Sequence, residues 1–217
     1  MKSIKAIIFD LDGTLLDTLE DLADSMNRVL GDNGFPQHQV DRYRYFVGDG
    51  IDLLISRALP DHARSPELTK RLVHEMTLEY GVHWRDKTRT YPGVDDMLVT
   101  LADRELSLNI LSNKPDAMTQ RIVAAFFPGH RFDHVVGARP DVPKKPNPAG
   151  ALDIADKLGI SGHDILYLGD TATDMQTAVS AGMLPLGALW GFRTADELQR
   201  AGASALLARP EEIILHL

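Results

Sequence analysis

Ile4-Lys5-Ala6-Ile7-Ile8-Phe9-Asp10-Leu11-Asp12-Gly13-Thr14 is the stretch from which the fold is read. Its first six residues are almost continuously apolar, the pattern of a strand buried on both faces in a helix-covered parallel sheet. The run then meets a carboxylate at once. In an extended chain residues i and i+2 point the same way, so Asp10 and Asp12 can face one site at the strand's tip. Two such carboxylates repel and desolvate each other unless positive charge lies between them. All-oxygen ligation suits a hard divalent cation such as Mg2+. An Asx turn would explain the pair with no ligand at all. A calcium loop would not, because Gly13 stands fourth instead of sixth and the bidentate Glu is missing.

Working outward, further apolar runs lie at 106–111, 132–137, 164–169 and 184–189, the last weakened by Pro185, which cannot donate to a ladder. Between them are helical stripes: Val94, Met97, Leu98, Leu101; Met118, Ile122, Ala125, Phe126; Ala151, Leu152, Ala155, Leu158; Met175, Ala178, Val179, Gly182. Strands alternating with single helices predict a doubly wound α/β layer, with ligands beyond the carboxyl ends of the strands. Residues 16–85 break the alternation. Leu19, Leu22, Ala23, Met26, Val29 and Leu30 predict one helix, and others are expected near 37–46, 50–59 and 67–80. The expected organisation is an α/β catalytic core of 1–15 and 86–217 with a small inserted helical cap, 16–85. Gly48-Asp49-Gly50 reads as a turn between cap helices, and Arg57 after it is the candidate to hold a substrate carboxylate.

Three more polar clusters close strand ends. Ser112-Asn113-Lys114 ends the second strand, with Pro115 placed as the first residue of the next helix, so that hydroxyl and first-turn N–H groups form an anion cradle or merely an N-cap. Lys145-Pro146 offers a point charge for phosphate or carboxylate, or a solvated loop lysine. Gly169-Asp170-Thr171-Ala172-Thr173-Asp174 supplies a second acidic pair, although Asp174 alone could be a helix-start carboxylate. His130 and His134 share a metal-ligand spacing, but Pro128-Gly129 and the strand that follows argue against one helix.

The chain is 217 residues long, about 1.4 average domains. At 44% hydrophobic and 25% charged it has a globular composition, and without cysteine it has no disulfide, zinc-thiolate or iron–sulfur chemistry. Its net charge of −8 with no basic tail argues against a nucleic-acid partner, and any phosphate site must make its own positive field. The opening apolar run is too short for a signal-peptide core or a membrane helix, so a soluble cytoplasmic chain with no membrane partner is expected.

Four motifs in order, Asp10-Leu11-Asp12-Gly13-Thr14-Leu15, Ser112-Asn113, Lys145-Pro146 and Gly169-Asp170 through Asp174, make the sequence similar to the haloacid dehalogenase superfamily of phosphohydrolases. Leu16-Asp17-Thr18, Tyr91-Pro92-Gly93-Val94 and Trp190-Gly191-Phe192 resemble its phosphoglycolate phosphatase-like branch. The resemblance implies a Rossmann-like core and a Mg2+-dependent phosphomonoester hydrolase acting on a small phosphorylated metabolite. It implies Asp10 as the nucleophile that forms an aspartyl-phosphate and Asp12 as acid and base. Ser112, Asn113 and Lys145 would bind phosphate. Asp10, the Asp12 carbonyl and Asp170 would hold Mg2+, with Asp174 supporting them directly or through water. Within the superfamily a sugar-phosphate mutase or a pyrophosphatase is the alternative; mutases often carry Glu-Asp where this chain has Gly169-Asp170. A phospho-receiver module, from a different class, lacks both a cap and an Asp nucleophile after the first strand.

Overall fold

The computed structural model describes residues 4–217. Its strands are β1 (Ala6–Phe9), β2 (Leu16–Asp17), β3 (Arg89–Thr90), β4 (Ser107–Pro115), β5 (His134–Ala138), β6 (Ile165–Gly169), β7 (Leu184–Ala188) and β8 (Ala205–Leu207). Its helices are α1 (Leu19–Asp32), α2 (Val40–Phe46), α3 (Ile51–Ala58), α4 (Pro66–His83), α5 (Val94–Asp103), α6 (Asp116–Phe126), α7 (Ala149–Leu158), α8 (Ala172–Ser180) and α9 (Ala195–Arg200). The chain divides into two compact units. One runs through Leu16 and resumes with Thr90–Leu217; the other is Asp17–Arg89.

The first unit is an α/β layer around a six-stranded parallel sheet in the order β5-β4-β1-β6-β7-β8. β1 is central, with Phe9 in register with Ile110 of β4 on one side and Leu168 of β6 on the other. Ala6 and Ile8 face a core shared with Ala151 and Ile154 of α7 and Ala178 of α8. Ile7 and Phe9 point to the opposite face and are equally buried, which is why the run reads as continuously apolar. The doubly wound parallel sheet expected from the sequence is therefore present.

Two details differ from expectation. β7 is an inner strand despite Pro185: the Pro185 carbonyl accepts from Ser204 N–H, one residue before β8 pairs with Leu186, so the missing donor removes no rung. Pro115 does not open a helix. The residue before a proline favours extended backbone, and β4 runs through Lys114 and Pro115 before α6 starts at Asp116.

The second unit is helical, α1 to α4. Ser65 caps α4 by accepting from Leu68 N–H, and Pro66 occupies the first turn, where a missing N–H costs nothing. Leu22, Met26 and Leu30 of α1 and Leu72, Met76 and Tyr80 of α4 are buried at the predicted spacing. Asp21 on α1 is buried and accepts from the main-chain N–H groups of Lys87 and Thr88 and from the Thr88 hydroxyl, which fastens the segment leading to β3. Gly48 and Gly50 take φ of 120° and 93°, the left-handed region, in the turn between α2 and α3. Arg57 spans that turn, pairing with Asp49 and donating to the carbonyls of Tyr45 and Phe46, so its guanidinium holds the turn itself. No helix among the described residues is long and apolar enough to cross a membrane.

Candidate active site

All the predicted site residues except Arg57 lie in the α/β unit, and the sheet order explains how they meet. β4, β1 and β6 are neighbours, so the segments after β1 and β6 and the end of β4 come together although they are far apart in sequence. Asp10 N–H donates to the Leu168 carbonyl at 2.9 Å, which continues the β1–β6 ladder into the site. Asp10, Asp170 and Asp174 each offer a carboxylate oxygen, all within 4.8 Å of one another, and all three are buried. Lys145 Nζ donates to Asp10 Oδ1 at 2.8 Å and to Asp174 Oδ1 at 2.6 Å, and lies 5.9 Å from the centre of the Tyr167 ring. The solvated-loop reading of Lys145 is thereby excluded.

One lysine among three buried carboxylates leaves the cluster short of positive charge. Burial first, then the Asp174 carboxylate, pushes Asp10 well above the usual carboxylate range against the pull of Lys145. The same two causes push Asp170 up to about 7, opposed by the Phe192 N–H and the Thr14 hydroxyl. Burial works against the charge on Lys145, but Asp10 and Asp174 outweigh it and hold the ammonium above its ordinary value. A compact, oxygen-only, charge-deficient cluster fits a hard divalent cation.

Asp174 carries two loads. Its Oδ2 closes a capping box on α8, accepting from Thr171 N–H and Thr171 Oγ1, while Oδ1 takes Lys145. Asp174 therefore starts α8 and stands in the carboxylate cluster at once. Gly169 makes room for it: a Cβ there would lie 2.3 Å from Asp174 Cβ, so a glutamate could not stand at 169 without displacing Asp174.

The Asp12 side chain stands outside the carboxylate cluster. Its Oδ1 lies 3.0 Å from Lys114 Nζ, and both side chains are nearly buried. Ser112 Oγ accepts from Lys114 N–H, which leaves its own proton to donate. The Asn113 side chain bonds the main chain of Lys145: Nδ2 donates to the Lys145 carbonyl and Oδ1 accepts from Lys145 N–H, so its amide positions Lys145. A carboxylate stands at the start of α6, where the cradle was expected. That first turn carries Asp116, whose carboxylate receives Gly137 N–H, and an anion placed there would meet a like charge. His130 pairs with Asp95, and His134 opens β5, so the two do not share a helix.

Three contributors were not singled out from the sequence: Lys114 against Asp12, Thr14 against Asp170, and the turn after β7. The available signals were a lysine inside the second motif and the Trp190-Gly191-Phe192 triplet, but neither declares its partner without the fold.

Residues 7–188 match the family model of haloacid dehalogenase-like hydrolases. A phosphoglycolate phosphatase of Mannheimia succiniciproducens is 34% identical over 195 residues, 87% of each chain. Another from Vibrio cholerae is 32% identical over 206 residues, 93% of this chain and 91% of that one. Among solved structures, a predicted phosphoglycolate phosphatase from Haemophilus somnus superposes with a TM-score of 0.92 at 29% identity, covering 100% of this chain and 99% of that one. Four motifs on adjacent strand ends, a family match across most of the chain and relatives of the same length lead to one assignment: the chain belongs to the haloacid dehalogenase-like hydrolases and is a phosphatase of their phosphoglycolate phosphatase-like branch.

Proposed function

We propose that this phosphatase hydrolyses a small phosphomonoester bearing a carboxylate, phosphoglycolate or a close analogue, in the cytoplasm, with Mg2+ and through an aspartyl-phosphate on Asp10. The observation that carries the reading is the separation of two carboxylates only two residues apart. Asp10 sits among Asp170, Asp174 and Lys145, whereas Asp12 is set apart against Lys114. Paired carboxylates in unlike settings are how one site divides nucleophile from acid–base work.

In the first step an Asp10 oxygen attacks phosphorus and the ester P–O bond breaks as Asp12 gives its proton to the leaving oxygen. In the second, Asp12 takes a proton from water, whose oxygen attacks phosphorus and breaks the bond to Asp10. Inorganic phosphate leaves, and both side chains return to their starting states. Ser112 donates to, and Lys145 balances, the phosphoryl oxygens. Mg2+ held by Asp10, Asp170, the Asp12 carbonyl and Asp174 would supply further neutralisation of phosphoryl charge. The space that Asp174 takes at Gly169 supports hydrolysis over a mutase. The helical unit enters the chain three residues after Thr14, and on that connectivity we assign it the role of cap, limiting leaving-group size.

The test is kcat/KM across phosphoglycolate, glycerol phosphate, sugar phosphates, pyrophosphate and a phosphopeptide. Small carboxylated phosphates should lead. Activity should vanish in EDTA and return with Mg2+, Ca2+ being a poor substitute. A leading phosphopeptide would overturn the substrate class, and full activity after chelation and dialysis would overturn the metal.

A further inference from the structure

Asp170 is held by two donors that come from outside its own segment. Thr14 Oγ1 donates to Oδ1 at 3.0 Å and Phe192 N–H donates to Oδ2 at 2.8 Å. The turn that brings Phe192 there is itself tied down. Leu189 N–H donates to the Leu207 carbonyl at 2.9 Å, and the Trp190 indole N–H donates to the Thr14 carbonyl at 2.9 Å. Gly191 follows these two anchors and leads directly into Phe192. A Cβ on Gly191 would stand 2.3 Å from Asp170 Cβ and 2.4 Å from the Gly13 carbonyl oxygen. Gly13, at φ 91°, meets the same carboxylate, where its own Cβ would lie 2.3 Å from Oδ2. Two glycines thus approach the Asp170 side chain closely, and a donor is fixed on each of its oxygens. A carboxylate oxygen has two lone pairs, so each still has one to offer a cation.

We infer that the Trp190-Gly191-Phe192 turn is a positioning element of the metal centre, which sets the orientation in which Asp170 meets a divalent cation. This rests on the Mg2+ reading above. The turn does not touch the transferring group. It works through Asp170, as partners that hydrogen-bond a metal ligand do, and loss of such a partner costs roughly 10–100-fold in metal affinity. The Phe192 N–H cannot be deleted by changing its side chain, but Gly191→Ala should push it off the carboxylate. The conformation of Gly191 is outside the left-handed region, so the added methyl acts by contact alone.

The experiment is Mg2+ titration of the full-length, substrate-free protein by calorimetry, with circular dichroism melting to establish the fold and Asp170→Asn as reference. Wild type should bind Mg2+, and Asp170→Asn should lose binding. Gly191→Ala should weaken it about tenfold, while its KM for phosphoglycolate at saturating Mg2+ stays within about twofold of wild type. A folded Gly191→Ala protein whose Mg2+ Kd rises less than threefold overturns the inference while leaving the metal reading intact. If wild type binds no Mg2+, both fall. Should Gly191→Ala not fold, Trp190→Phe decides, since it removes only the indole donor to the Thr14 carbonyl: a Kd at least threefold weaker supports the turn's role, and a smaller change overturns it.

Discussion

Asp10 and Asp12 are chemically identical and two positions apart, yet they meet different neighbours. Asp10 shares Lys145 with Asp174, and Asp12 has Lys114. The proposed division of labour makes two substitutions informative. Asp10→Asn keeps the shape but cannot form an acyl-phosphate; turnover should drop by many decades in a protein with an unchanged circular dichroism spectrum, and retention of more than about a tenth of the wild-type rate would rule out the covalent assignment. Lys114→Met should leave Asp10 and its cluster in place while releasing Asp12. Because a positioned acid–base group contributes roughly 10²–10⁴-fold, kcat should fall at least about tenfold with KM changed much less, as steady-state kinetics would reveal. Of these residues, the aspartates and Lys145 were readable as chemistry because carboxylates and a lysine at strand ends have few other uses. Lys114 was not, because its importance lies in a 3.0 Å approach across two strands. The positioning role of Asn113 was hidden for the same reason: an amide at a strand end says nothing of the two main-chain bonds it makes to Lys145.

Elements were legible in proportion to how much of their burial is their own. β1, β4 and β6 are buried on both faces and announce themselves as apolar runs. β8 has three residues, two of them only partly buried, and exists because Leu186 to Ala188 offer it an edge. No periodicity could have revealed it, yet through Leu207 it anchors the turn that reaches Asp170. The helices of the second unit were readable from their stripes, but the Asp21 contact that ties α1 to the segment before β3 was not, since it uses main-chain donors. Asp21→Ala would leave the buried Thr88 N–H and hydroxyl without an acceptor. Hydrogen bonds to a charged group contribute roughly 1.5–3 kcal/mol each, so a loss of about 3 kcal/mol is expected in urea unfolding, against well under 1 kcal/mol for an exposed control such as Asp52→Ala.

For the molecule as a whole, the charge deficit of the site ties stability to pH and to metal. Asp170 is raised to about 7 and Asp10 is raised as well, so without a cation these two groups bind more protons in the folded state than in the unfolded chain between pH of about 4 and 7. Metal-free protein should therefore lose stability as pH rises through that window. The gain in Tm on adding Mg2+ should grow from pH 5 to pH 8, which thermal melts in EDTA and in Mg2+ would measure; a gain that shrinks with pH would contradict the charge argument. The partners that make the site are also remote along the chain: Asp10 meets Lys145 after 135 positions and Thr14 meets Asp170 after 156. Helices close their contacts locally and early, whereas parallel strands must wait for distant partners. Regain of turnover after dilution from denaturant should accordingly lag behind regain of helical ellipticity. Enzymatic competence then serves as a clock for the last stage of folding, because no fragment of the sheet holds enough of the constellation to hydrolyse anything.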